Sequence, residues 1–193
     1  MLDELGSQQR SRYEVLEGRA ASRFLAGRTL LARAIGEFTP GDLRLETRCA
    51  VCGGHDHGAL RTVSGQVAVS VSYAGDLVVV AAASAHIARA VGIDVEAHGH
   101  DGAMEELRML FAPANPPTIA EWTRIEAAAK AEGRGLHIPP HLVVVTGQPG
   151  ATLPGGRLVA MPGRGATIEV AAAPGPEGYA VSVAIDPASG SEP

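Results

Sequence analysis

The residues best suited to chemistry lie in two short segments of the second half of the chain. In Gly92-Ile93-Asp94-Val95-Glu96, positions two apart on a strand face the same way. Asp94 and Glu96 then project together, while Ile93 and Val95 turn to the other side. Two neighbouring carboxylates repel unless something positive sits between them. A hard cation such as Mg²⁺ meets that need, because it takes one or two carboxylates and keeps positions for phosphate oxygens and water. The competing reading is a strand end running into solvent. The second segment, Trp122 to Gly133, sets Glu126 and Lys130 four apart, and so on one face of a helix. Lys130 is the only lysine against fifteen arginines, and Trp122 is the only tryptophan. An ordinary surface ion pair between Glu126 and Lys130 is the plain alternative.

Cys49, Cys52, His55 and His57 place two thiols and two imidazoles within nine residues, which could make a zinc site. Their spacing is too tight for a zinc finger, and a Cys-x-x-Cys away from a strand–helix junction is a weak redox signal. The expectation for this stretch is a glycine-rich loop whose backbone approaches a ligand. His98, His100 and Asp101 read as a polar loop. The hydroxyls of Ser70, Ser72 and Tyr73 end a strand at a tight turn, where they could meet a phosphate.

The elements that must position these groups follow from pattern. Residues 1–10 read as frayed. Residues 13–35 are helical, with Phe24, Leu25, Leu30, Leu31 and Ile35 on one apolar face, Gly36 as the stop and Gly18 as a dividing point. Residues 37–65 are punctuated by glycines and Pro40 and read as loop. Val67–Ser72 and Leu77–Ala83 form a strand pair around Ala74-Gly75-Asp76, and Ala90–Val95 is the next strand. A short helix is expected near Glu105–Phe111. Thr118 and Glu121 make a capping box that opens a helix from Ile119 to Glu132, closed by Gly133. Leu142–Thr146, Thr167–Ala172 and Tyr179–Ile185 are the remaining strands, followed by a loose tail. The class is α+β with mostly antiparallel sheet, in two similar halves, 1–90 and 91–193, each a helix followed by strands.

Charge sharpens the picture. The net charge is −5, yet residues 1–50 hold eight arginines against seven acids, and residues 91–193 hold six bases against twelve acids. This balance argues against a nucleic-acid partner, which calls for a basic face. It suits a carboxylate-held cation in the second half and arginines gripping a phosphate in the first. The longest apolar run, Leu77 to Ala83, is seven residues, far short of a membrane span. The acid-bearing start MLDELGSQQ is not a secretory signal. A soluble, cytoplasmic protein is expected.

Taken in order, RTLLARAIG (28–36), CxxCGG…HG (49–58), SVSYAG (70–75), VGIDVE (91–96) and EWTRIEAAAKAEGRGL (121–136) resemble the 4′-phosphopantetheinyl transferase superfamily. The likeness is to its monomeric, pseudo-twofold surfactin-synthetase-activating type. It implies an enzyme that moves the phosphopantetheine arm of coenzyme A onto a serine of an apo acyl or peptidyl carrier protein and releases adenosine 3′,5′-bisphosphate. By that resemblance Asp94, Glu96 and Glu126 hold Mg²⁺, and Glu126 is also the base for the carrier serine. Lys130 meets the phosphate and protonates the leaving group. Arg28, His57, Gly58, Ser72, Tyr73 and Asp94 contact coenzyme A. Three positions depart from the family pattern: Tyr73 where histidine is frequent, Ala59-Leu60 in place of Lys-Pro, and Ile125 in place of a basic residue. Each lowers the local positive charge. Glu96 to Trp122 is also a short connection. Two other readings stay open from sequence: a homologue that binds coenzyme A or a carrier without turnover, and a small zinc protein built on Cys49, Cys52, His55 and His57.

Overall fold

A computed structural model describes residues 2–99, 101–165 and 167–188. Its first half begins with α1 (Leu2–Leu5), α2 (Ser7–Glu14) and α3 (Gly18–Gly36). The expected frayed start is therefore corrected to helix. Two side chains explain it: Leu5 and Gln9 are fully buried, the first in the apolar cluster of Leu31, Ile35 and Val67. The stretch read as loop, 37–65, contains a short antiparallel ribbon, β1 (Leu45–Arg48) with β2 (Ala59–Thr62). The expected hairpin follows as β3 (Val67–Ala74) and β4 (Leu77–Ser84), paired antiparallel with Ala74 opposite Leu77. Its two-residue turn has Gly75 at φ 57 and no positive φ at Asp76. That is the type II′ arrangement, whose first central position wants glycine.

The second half consists of β5 (Ala88–Ala97), α4 (Asp101–Phe111), α5 (Ile119–Glu132), β6 (Val144–Pro149), β7 (Arg157–Ala160), β8 (Ile168–Ala172) and β9 (Tyr179–Pro187). Its five strands form one antiparallel sheet in the order β5-β9-β8-β7-β6. The protein is thus α+β with antiparallel pairing. Strand β7 was not anticipated, because Arg157–Ala160 is short and flanked by glycine-rich turns. The 5-stranded sheet supports α5, whose capping box is complete: Glu121 N–H donates to Thr118 Oγ1 at 3.3 Å and Thr118 N–H donates to Glu121 Oε2 at 2.8 Å. At the other end Gly133 is left-handed at φ 95 and donates its N–H to Ala129 O. Helix α5 crosses β5, β9 and β8, burying Ile125, Ala127, Ala128 and Ala131 in the cluster of Val159, Ile168 and Val170. A buried hydroxyl pair, Thr123 Oγ1 to Ser182 Oγ at 2.8 Å, adds a polar tie between helix and sheet worth about 1 kcal/mol.

Strand β3 runs beside β5. There is no shared ladder between them; the Ile93 N–H donates to the Ser70 hydroxyl at 3.1 Å instead. Among the described residues no helix is long and apolar enough to cross a membrane.

Candidate active site

Gly92 sets the geometry. A Cβ on it would stand 2.0 Å from Ala127 O and 2.7 Å from Ala131 N, so only glycine lets α5 lie this close to β5. Gly92, Asp94 and Glu96 share that face of the strand, which carries the carboxylates under the helix bearing Glu126 and Lys130. Ile93 and Val95 point the other way, into a cluster with Ala74 and Val181. The alternation read from sequence holds. The solvent-facing alternative for Asp94 does not, since this residue is 4% exposed.

Lys130 reaches across to β5. Its Nζ lies 2.6 Å from Asp94 Oδ1 and donates to the Ser72 hydroxyl at 2.9 Å and to Ile93 O at 3.2 Å. Ser72 in turn donates to Asp94 Oδ1 at 2.9 Å. The lysine's partner is therefore Asp94, and the surface pair with Glu126 is corrected: α5 faces the strand, so Nζ turns inward to the buried carboxylate. Asp94 Oδ2 is buried and has no hydrogen-bond partner. Glu126 is pushed up to about 7, chiefly by burial, then by Asp94 and Glu96, against the opposing pull of Lys130. An orphaned carboxylate oxygen beside a carboxyl that resists ionisation marks a shortage of positive charge. Hard oxygen donors in that state fit Mg²⁺. The three carboxylates do not form a tight cage by themselves. Among the described residues only Cys49, Cys52 and His57 bring three ligand atoms within 4.8 Å of one another.

Lys130 also lines a cleft of about 1140 Å³, shared with Arg28, His57, Gly58 and Tyr73. Arg12, Arg23, Arg61 and Arg134 line it as well, against the acids Glu46, Glu132 and Asp186. Glu132 is paired with Arg134, and Asp186 with Arg89 and Arg164, which leaves the cleft with an excess of cations. Arg28 is the buried one, 4% exposed. It stacks over the Phe24 ring at 4.1 Å, donates Nε–H to Gln9 Oε1 at 2.8 Å and reaches the Tyr73 hydroxyl at 3.4 Å. These are neutral partners. Burial lowers its pKa, Tyr73 opposes the shift and Arg12 adds to it, yet a guanidinium stays charged. A buried guanidinium held by neutral groups at a cleft wall is an anion site in waiting.

The sequence-derived residues thus divide into two groups. Ser72, Asp94 and Lys130 meet directly, with Asp94 and Glu96 close enough to Glu126 to raise its pKa. Arg28 and Tyr73 meet at the wall of the cleft, which the exposed His57 and Gly58 also line. Gln9 was missed; nothing in its polar surroundings marks it as the residue that holds Arg28. Gly27 was a usable signal. It is a glycine inside a helix, and a Cβ there would sit 2.4 Å from the Tyr73 hydroxyl. Of the expected polar loop, His98 is exposed, whereas His100 and the Asp101 side chain lie outside the described residues. Comparison of the chain with protein-family models and with curated proteins finds no match.

Proposed function

We propose that the protein is a 4′-phosphopantetheinyl transferase with the pseudo-twofold fold of that family. In this reading it acts on coenzyme A and an apo acyl or peptidyl carrier protein, in the cytoplasm and as a monomer. The observation that carries the reading is the Asp94–Lys130–Ser72 cluster, with Glu126 held near neutrality beside it, at the edge of a cleft rich in guanidinium groups. Phosphoryl transfer asks for charge compensation, in-line positioning and a base. These residues offer all three.

In the reaction, the carrier serine oxygen attacks the phosphorus that bears the pantetheine arm. The bond from that phosphorus to the bridging oxygen breaks, and adenosine 3′,5′-bisphosphate departs with the electron pair. Glu126, whose pKa is pushed up to about 7 by burial when no cation is bound, is the group that would accept the serine proton. Lys130 Nζ, three bonds deep in Asp94, Ser72 and Ile93 O, neutralises the departing phosphate and can give it a proton. Arg28 and its neighbours hold the nucleotide phosphates. Asp94, Glu96 and Glu126 would hold Mg²⁺, which supplies charge neutralisation at the pyrophosphate.

Incubation with coenzyme A, Mg²⁺ and a panel of apo carrier proteins tests the proposal by mass spectrometry. The expected result is one phosphopantetheine added to at least one carrier, lost in Asp94→Asn. Coenzyme A binding with no carrier gaining mass would establish the non-catalytic homologue instead.

A further inference from the structure

The loop between β1 and β2 carries two thiols, Cys49 and Cys52, that the proposed phosphopantetheine transfer does not use. Residues 49–54 fold back on themselves: Cys49 N–H donates to Gly54 O at 2.8 Å, and Gly53 N–H donates to Cys49 O at 3.0 Å. Gly53 sits at φ 74, a conformation that disfavours any side chain. The turn aims backbone donors at sulfur. Val51 N–H and Cys52 N–H lie 3.4 and 3.5 Å from Cys49 Sγ, and Gly54 N–H lies 3.3 Å from Cys52 Sγ. Donors around sulfur favour the thiolate, which is the form that binds metals.

The chain then returns over the thiols. Gly58, at φ 101, presses its backbone against Arg48 and Cys49, where a Cβ would stand 2.5 Å from Arg48 O and from Cys49 Cα. This close approach brings His57 Nε2 to 3.4 Å from Cys52 Sγ. The other ring nitrogen, Nδ1, is 2.7 Å from Asp56 Oδ1. An imidazole that donates Nδ1–H to a carboxylate presents an unprotonated Nε2 as ligand, the outer support found behind many metal-bound histidines. The ligand atoms of Cys49, Cys52 and His57 all lie within 4.8 Å of one another.

We propose that Cys49, Cys52 and His57 bind a thiophilic divalent cation of the zinc class, oriented by Asp56 and with one coordination position open. Two sulfurs and an imidazole suit Zn²⁺ and do not suit Mg²⁺. No further His, Cys, Asp or Glu ligand atom among the described residues joins the group, so water or a cleft-bound anion takes the fourth position. Binding displaces a proton from each thiol that is still protonated. The ion would pin the loop that carries Cys49, His57 and Gly58 into the cleft wall and present its open position there. The site stands whether or not the chain transfers phosphopantetheine. The spacing looked too tight for a finger because the ligands come from one turn and its return, with no helix between them.

Titration of the full chain, stripped by chelator and kept reduced with a phosphine, tests the site. Co²⁺ is expected to bind at one equivalent with thiolate charge-transfer absorption in the near ultraviolet and tetrahedral bands in the visible, both removed by Zn²⁺. Cys52→Ser, at an exposed position, should keep its circular dichroism yet lose the charge-transfer band and bind Zn²⁺ more than about 100-fold more weakly. Asp56→Asn, which touches only the histidine, should weaken Zn²⁺ by about 10–100-fold. Absence of stoichiometric metal, an octahedral Co²⁺ spectrum without sulfur absorption, or unchanged affinity in Cys52→Ser would each overturn the proposal.

Discussion

Glu126 and Lys130 share a helix face but do opposite things to the protein's stability. Glu126 has a folded pKa of about 7 against an unfolded value near 4.5, so the folded state holds its proton over a wider range. Stability therefore falls as pH rises from about 4.5 to about 7 and is level above that. The loss amounts to at most about 3 kcal/mol. Glu126→Gln should remove this slope and be the more stable protein at pH 8, measured by urea denaturation, while losing transfer activity. Mg²⁺ should stabilise the wild type at pH 8 and leave Glu126→Gln little changed, because a ligand stabilises only the state that binds it. Lys130 works the other way. Its removal leaves Asp94 buried without a cation, so Lys130→Ala should cost about 1–3 kcal/mol, below the range for a fully buried pair because the lysine is partly exposed. It should also lower kcat by about 100-fold or more with a smaller change in coenzyme A affinity. Lys130→Arg should recover only part of either loss, since a planar guanidinium cannot occupy the three-donor seat of an ammonium. Steady-state kinetics beside denaturation curves separates the two effects.

At the scale of elements, α5 and β5 behave as one part. Their separation is set by Gly92, and Gly92→Ala would drive a methyl group into the Ala127 carbonyl. Overpacking of this kind costs about 1–3 kcal/mol. Because the helix must slide or lift to relieve it, activity should fall by far more than stability, with the ratio read from kcat/KM and the denaturation midpoint. These elements were legible from sequence because local chemistry marks them. Thr118, Glu121 and Gly133 punctuate α5, alternation marks β3 and β5, and a continuous apolar run marks β4. The first two helices were not legible, since Gln9 is buried to serve Arg28 and no hydrophobic period announces it. The partner of Lys130 was hidden for a related reason. Spacing of four along a helix suggests Glu126, and only the sheet beneath reveals Asp94. The cleft was visible solely as scattered arginines, for it is assembled from segments as distant as Arg12 and Arg134.

For the whole molecule, the formal charge of −5 and the cation-lined cleft describe different places. An anion approaching the protein meets an acidic surface overall and a basic recess in the cleft, so its affinity should depend on salt. Raising ionic strength from about 0.05 to about 0.5 M should weaken coenzyme A binding by roughly tenfold, as screening shortens the reach of the exposed guanidinium groups. Calorimetry that finds no salt dependence would move the ligand out of the cleft.

Lys130 is the only lysine in the chain, so an amine-selective acylating reagent finds a single side-chain target, at the centre of the candidate site. Its Nζ is occupied by Asp94, Ser72 and Ile93 O, and acylation must wait for that arrangement to open. The rate of mass gain at one residue is then a clock for the opening of the site, with no mutation or attached dye. Digestion after lysine divides unmodified chains at residue 130 and spares acylated ones, so the uncut fraction on a gel is a direct count of molecules that have opened.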